Sequence, residues 1–168
     1  TIPIEAALIA KNRAPGLDRS FAAQRWKNMD SKLWLEAGDE AMDKEFHGYY
    51  DIWGGDIDPA AVELARHNAE LAGVEDCIRF EVADAGKFHR DSEYGQLVTN
   101  PPYGERLLEK KEAEDLYRMF GAALRDLPPK WRVLVLSSHT EFERCFGRPA
   151  DKKRKLYNGM IKLSLIHI

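Results

Sequence analysis

From residue 50 to residue 146 the sequence alternates short apolar runs with amphipathic stretches at helical spacing, and this alternation constrains the fold more than any other feature. Residues 50–55 (YDIWGG) form a short apolar strand ending at Asp56. Residues 59–72 predict a helix, with Pro59 in its first turn, Ala61, Leu64, Ala65 and Leu71 on one side, and Gly73 as its stop. Residues 77–82 alternate cleanly as a strand, and residues 96–99 form a brief strand running into Asn100. Residues 112–127 predict a strong amphipathic helix ended by Pro128-Pro129, residues 132–136 a buried strand, and residues 140–146 a short helix. Strands separated by helices pair in parallel, so the expected class is α/β, a doubly wound, mostly parallel sheet.

The flanking segments add to this frame. Residues 2–11 read as a helix with Ile4, Ala7, Leu8 and Ala10 at helical spacing, and residues 12–25 as a loop around Pro15-Gly16. Residues 30–46 predict a second helix, capped by Asp30, with Leu33, Trp34, Ala37, Ala41 and Met42 as its apolar stripe. Residues 152–166 are two runs flanking Asn158-Gly159, the dipeptide most favoured in a type I′ turn, which predicts a C-terminal antiparallel hairpin. With no repeat, low-complexity stretch or linker, one domain is expected over residues 1–168.

Apolar residues make up 44% of the chain and charged residues 32%, ordinary values for a globular protein. No apolar run approaches the roughly 18 residues of a membrane helix, and the N-terminus carries no secretory signal, so no membrane partner is expected. Cys77 and Cys145 lie far apart, without a CxxC or Cys/His spacing, and read as structural thiols in a cytoplasmic protein. The five histidines form no metal-ligand pattern, so no metal is expected, and no Ser/His/Asp or Cys/His nucleophile is suggested. A net charge of −3 and a pI near 6.0 work against a free-standing nucleic-acid binder, whose affinity comes from neutralising phosphates.

In an open α/β sheet, ligands bind beyond the carboxyl ends of the strands. Three polar residues fall at such ends: Asp56, Asp84 and Asn100. Asp56, preceded by two glycines, can accept both hydroxyls of a ribose, or else cap a helix; it stands one position too early to cap the helix at Pro59 well, whereas Asp58 is placed to do so. Asp84 can accept from an adenine amino group or simply hold its loop. Asn100-Pro101-Pro102-Tyr103 is the sharpest signal. Two prolines remove two donors and stiffen the backbone, leaving the Pro101 carbonyl free beside the Asn100 side-chain carbonyl. Two such acceptors can take both N–H groups of an exocyclic amine and draw its lone pair out of conjugation. Tyr103 offers a face on which a flipped base can stack. The alternative is a proline turn with a packed tyrosine. Arg106 can meet a phosphate or pair with Glu105, and the basic group Arg144, Arg148, Lys152, Lys153, Arg154 and Lys155 can contact RNA or form a solvated face.

The runs GGDIDP, VADA and NPPYGER, in this order on this strand plan, resemble the class I, Rossmann-like methyltransferases with an NPPY motif. A closer resemblance is to the bacterial large-subunit ribosomal RNA guanine-N2 methyltransferases and their THUMP-domain relatives. Asn12-Arg13-Ala14-Pro15-Gly16-Leu17 and Tyr157-Asn158-Gly159-Met160 share it, and it runs from Thr1 to about Lys162. NPPY alone also occurs in DNA adenine-N6 and protein glutamine-N5 methyltransferases; NPPYGER with the RAPG loop is narrower.

The resemblance implies an enzyme using S-adenosyl-L-methionine, with a cofactor set of Thr1, Asp56, Ile57, Asp84, Ala85 and Asn100. Asp56 would bind the ribose, Ile57 would pack on the adenine, and Asp84 would hold its amino group. Asn100 and Pro101, with Pro102, would orient the target amine, and Tyr103 would stack on the base. Arg106, Arg13, Lys153 and Arg154 would contact RNA. The implied reaction is direct in-line methyl transfer to the N2 amine of a guanine in RNA, with 23S ribosomal RNA ahead of transfer RNA. DNA adenine and protein glutamine are the other acceptors, and an inactive RNA- or partner-binding fragment is the reading from another class. The family has a strand and a Gly-rich loop before its first helix, the last loop residue matching Thr1. A front-truncated, partial catalytic domain is therefore expected, lacking the first strand and the N-terminal RNA-binding domain, with weak cofactor binding and exposed sheet edges. The closing LSLIHI is unlike the family's ending.

Overall fold

The computed structural model of the chain describes the backbone of residues 1–103 and 107–168, and the side chains of all of these except 107–109. It contains two compact units, Thr1–Gly54 with Pro59–Glu81, and Gly55–Asp58 with Val82–Ile168. The elements in chain order are α1 (Ile2–Ala10), α2 (Ser31–Asp43), β1 (Ile52–Asp56), α3 (Pro59–Leu71), β2 (Ile78–Val82), β3 (Tyr94–Thr99), α4 (Leu107–Ala123), β4 (Lys130–Ser137), α5 (Phe142–Phe146), β5 (Lys152–Asn158) and β6 (Ile161–His167). Among the described residues, no helix is long and apolar enough to cross a membrane.

The α/β class holds, but the strands do not form one mostly parallel sheet. β1 and β2 make a two-stranded sheet, and the other four strands are ordered β3-β4-β6-β5. In the larger sheet β3 runs parallel to β4, while β6 is antiparallel to both β4 and β5. The cause is the hairpin: β6 docks directly on β4, so antiparallel ladders outnumber the parallel one.

In the first unit, Ala7, Ala69, Val74, Cys77 and Ile78 form a small core, with Ile4, Leu8, Tyr50, Ile52 and Phe80 against it. Asp30 caps α2 as expected, its Oδ1 accepting from Lys32 N at 2.9 Å. The loop between α1 and α2 is held by side chains. Asn12, at φ 54°, donates from Nδ2 to the Lys44 carbonyl at 3.0 Å, and Phe21 stacks on Trp34 with ring centroids 5.7 Å apart. No residue of α2 is fully buried: Trp34 is half-buried against Phe21, while Leu33 and Met42 are exposed.

The second unit has the larger core. Ala113, Tyr117 and Phe120 recur at helical spacing along α4 and, with Leu124 just past its end, meet Val133 and Val135 of β4, Phe142, Cys145 and Phe146 of α5, and Ile166 and Ile168. Phe142 contacts both Tyr117 and Phe146, at centroid distances of 4.8 Å and 5.2 Å. Both cysteines are free and buried, and burial raises each thiol above its ordinary value.

Element boundaries differ from expectation for identifiable reasons. α4 ends at Ala123 instead of near Leu127. Beyond it the bonds tighten, Arg125 N reaching Ala122 O and Leu127 N reaching Leu124 O. A residue before proline avoids the helical region, and Leu127 precedes Pro128. β3 begins at Tyr94, two residues early, because Tyr94 and Gly95 already pair with Lys130 and Trp131. The hairpin forms where expected, but Asn158 pairs with Ile161, so the two loop residues are Gly159 and Met160. Gly159, at φ 59°, takes the first central position, where a type II′ turn places its glycine.

The packing of α4 on α5 depends on Gly121. A Cβ there would lie 2.0 Å from the Phe146 carbonyl oxygen, and backbone cannot swing aside as a flexible side chain can. Gly121→Ala is expected to lower stability by about 1–3 kcal/mol, the scale of core overpacking, despite alanine's better helix propensity. Urea unfolding checks this; unchanged or greater stability would show that the two helices can separate without loss.

Candidate active site

Asp56, Asp84 and Asn100 end the strands or follow them directly in the second unit. The Asp56 carbonyl accepts from Ala83 N at 2.9 Å, which ties the chain leaving β2 to the end of β1. Each aspartate uses one carboxylate oxygen locally. Asp56 Oδ1 accepts from Asp58 N at 3.0 Å, and Asp84 Oδ1 accepts from Gly86 N at 2.9 Å, opening the short turn Ala85–Lys87. The two readings of Asp84 thus meet in one geometry, since a carboxylate has a second oxygen to offer. Ile57 is 70% exposed beside Asp56. An acidic acceptor next to an open apolar side chain fits the ribose and base of a nucleoside.

At the end of β3, Thr99 pairs with Val135 and the chain enters Asn100-Pro101-Pro102-Tyr103. The Tyr103 hydroxyl donates to Asn100 Oδ1, and burial holds the Tyr103 phenol above its ordinary value. The Pro102 carbonyl accepts from the Tyr117 hydroxyl at 2.5 Å. Among the described residues, none donates to the Pro101 carbonyl. The turn therefore presents one free backbone acceptor, beside a side-chain carbonyl with one lone pair engaged and one open.

Thr1 is the N-cap residue of α1, in the first unit. Arg13, also in that unit, bonds Glu45 Oε1 at 3.1 Å and Asp18 Oδ2 at 3.0 Å, which raises its pKa further, the Asp18 bond being the larger cause. Lys153 pairs with Glu143. Arg154 is exposed on β5, opposite Leu165 of β6. Arg106 lies outside the described residues, as do Gly104 and Glu105.

The chain matches the family model described as RMKL-like, methyltransferase domain (UPF0020), over residues 1–167. It is 44% identical over 163 residues to YpsC of Bacillus subtilis, whose name gives it as an RNA methyltransferase, covering 96% of this chain and 42% of that protein. It is 40% identical over 167 residues to the ribosomal RNA large subunit methyltransferase K/L of Shewanella baltica, covering 96% of this chain and 24% of that protein. The chain thus spans less than half the length of these curated relatives. Among solved structures, the methyltransferase-like protein SMU.472, crystallised with SAH, superposes with a TM-score of 0.94 at 41% identity, over 99% of this chain and 44% of that one.

Beside the turn lie residues that sequence reasoning missed: Tyr117, Ser137, His139 and Glu114. Ser137 ends β4 and so met the same strand-end criterion that singled out Asp84 and Asn100. His139 has a side chain 3% exposed, with Nε2 3.6 Å from Glu114 Oε1. Its Nδ1 accepts from Glu141 N at 3.2 Å, which places the proton of the neutral ring on Nε2. Burial lowers the His139 pKa from 6.5, helped by Lys110 and Arg144 and opposed by Glu114 and Glu141. The unfolded chain therefore binds this proton at a higher pH than the folded chain does. Stability from His139 is full above its unfolded value and is lost as pH falls below about 6.5. His139→Gln is expected to flatten the decline in melting temperature just below pH 6.5. An unchanged slope would show that His139 charges as readily in the folded protein.

Proposed function

The chain belongs to the RMKL-like methyltransferase domain family, and from that premise we propose that it transfers a methyl group from S-adenosyl-L-methionine to the N2 amine of a guanine in RNA, with large-subunit ribosomal RNA as the substrate. One observation carries this reading: in Asn100-Pro101-Pro102-Tyr103 the Pro102 carbonyl is engaged by Tyr117, while the Pro101 carbonyl faces no described donor. That leaves two acceptors side by side, the number needed to hold both N–H groups of an exocyclic amine.

When bound, S-adenosyl-L-methionine supplies an electrophilic methyl group on a sulfonium. Asp56 would accept from the ribose hydroxyls through the carboxylate oxygen not used on Asp58, and Ile57 would cover one face of the adenine. Asp84 would accept from the adenine amino group through its second oxygen, with Ala85 beside it. Asn100 Oδ1 and the Pro101 carbonyl would take the two N–H groups of guanine N2, fixing the nitrogen's direction and localising its lone pair. Tyr103 would stack on the base while its hydroxyl keeps Asn100 from turning. None of these residues forms a covalent bond to the base, so positioning and electrostatics supply the rate. Arg154, exposed on β5, would contact phosphate, and Lys153 would act together with Glu143, which it already holds. The SAH-bound neighbour supports the cofactor, and the ribosomal RNA named in the Shewanella baltica relative supports the substrate.

Incubation with isotopically labelled S-adenosyl-L-methionine and unmodified ribosomal RNA, followed by nucleoside analysis, is expected to show N2-methylguanosine. Asn100→Ala should lower kcat on the order of a hundredfold, the scale for one preorganised polar contact at a reacting group. Asp56→Ala should instead weaken cofactor binding by about tenfold in calorimetry, the cost of a charged hydrogen bond. Label in N6-methyladenine or in glutamine would move the acceptor to another class, and unchanged transfer by Asn100→Ala would remove the turn from the site.

A further inference from the structure

We infer that Tyr117 is a positioning residue for methyl transfer, setting the orientation of the acceptor turn through the bond from its buried hydroxyl to the Pro102 carbonyl. The inference rests on the function proposed above and adds to it a residue fifteen positions along the chain from Pro102.

Tyr117 is 0% exposed, packed by its ring against Phe142 and His139. A hydroxyl buried this deeply needs partners. Its partner is the Pro102 carbonyl, to which the Tyr117 hydroxyl donates at 2.5 Å. Ser137, 1% exposed at the end of β4, accepts from His139 N at 3.1 Å. Burial raises the Tyr117 phenol above its ordinary value, and Ser137 opposes that shift.

The link from Tyr117 to Pro102 bears on the one backbone dihedral that the prolines leave open. Proline fixes φ at 101 and 102 but leaves ψ of Pro102 free. The direction of the Pro102 carbonyl reports that ψ, and ψ decides where the next residue, Tyr103, points. Tyr103 in turn holds Asn100. The turn is thus fixed at Thr99 by the ladder to Val135 and at Pro102 by Tyr117, with the proposed acceptors between. Pro102 is exposed, so without Tyr117 its carbonyl can satisfy itself with water, and the bond's effect falls on orientation more than on folding.

The test measures kcat and KM for RNA and for S-adenosyl-L-methionine with wild-type protein, Tyr117→Phe, and Tyr117→Phe combined with Ser137→Ala, which removes the hydroxyl without stranding the serine. Phenylalanine keeps the ring in the core. The expected result is a fall in kcat of about tenfold or more with KM for S-adenosyl-L-methionine unchanged, as for a small displacement at a reacting centre. Circular dichroism reports the folded fraction at the assay temperature, and if the single variant is unfolded the double variant is read instead. A folded variant with kcat within twofold of wild type overturns the inference and leaves the proposed function standing. A loss shared equally with cofactor affinity also overturns it, by marking a general structural defect. Absence of transfer by the wild type overturns the proposed function and this inference together.

Discussion

The parallel ladder between β3 and β4 is the constraint on which the acceptor turn depends. Thr99 opposite Val135 brings the carboxyl ends of both strands to the same edge, so Asn100 leaves one strand where Ser137 ends its neighbour. An antiparallel pair would place these ends at opposite edges. β4 can serve this way because its residues are apolar where the core demands it. Val133 and Val135 meet the stripe of α4, and that stripe carries Tyr117 to the turn.

Much of this architecture was legible in the sequence, because its determinants are local and periodic. The apolar run at 132–136, the stripe on α4 and the Asp30 cap depend on residues close in sequence. The misplacements are of element boundaries: Pro128 cuts α4 short, and strand pairing moves the others. β3 starts at Tyr94 because Lys130 is there to pair with it, and the hairpin loop moves one residue because Asn158 is claimed by Ile161. Likewise, the prediction of a mostly parallel sheet followed the strand–helix alternation correctly up to β4. It gave too little weight to a hairpin that supplies two of the larger sheet's four strands.

The candidate site was legible to a different degree. Sequence position alone selected Asp56, Asp84 and Asn100, since strand ends in an α/β fold are where polar groups meet ligands. It could not show what those groups already hold. Arg13 looks like a free cation in the sequence, yet Asp18 and Glu45 both engage it, and Lys153 is engaged by Glu143. Tyr117 escaped notice because a tyrosine at a core position of an amphipathic helix has the same pattern as a phenylalanine. Only its hydroxyl, aimed at Pro102, distinguishes it.

The turn and the two aspartates share a design in which structural and proposed ligand-binding duties fall on different atoms of one group. Asp56 and Asp84 each give one oxygen to a backbone N–H two residues on, which fixes the side chain before any ligand arrives. Asn100 gives one lone pair to Tyr103. A side chain so held loses less conformational freedom on binding than a free one, and each loss avoided reaches the affinity directly. In a protein of net charge −3, general attraction to phosphate is weak, so selectivity for a nucleotide must rest on fixed acceptors of this kind. The Pro102 carbonyl shows the same logic in reverse: Tyr117 engages one of two neighbouring carbonyls, and the other is the one proposed for the amine.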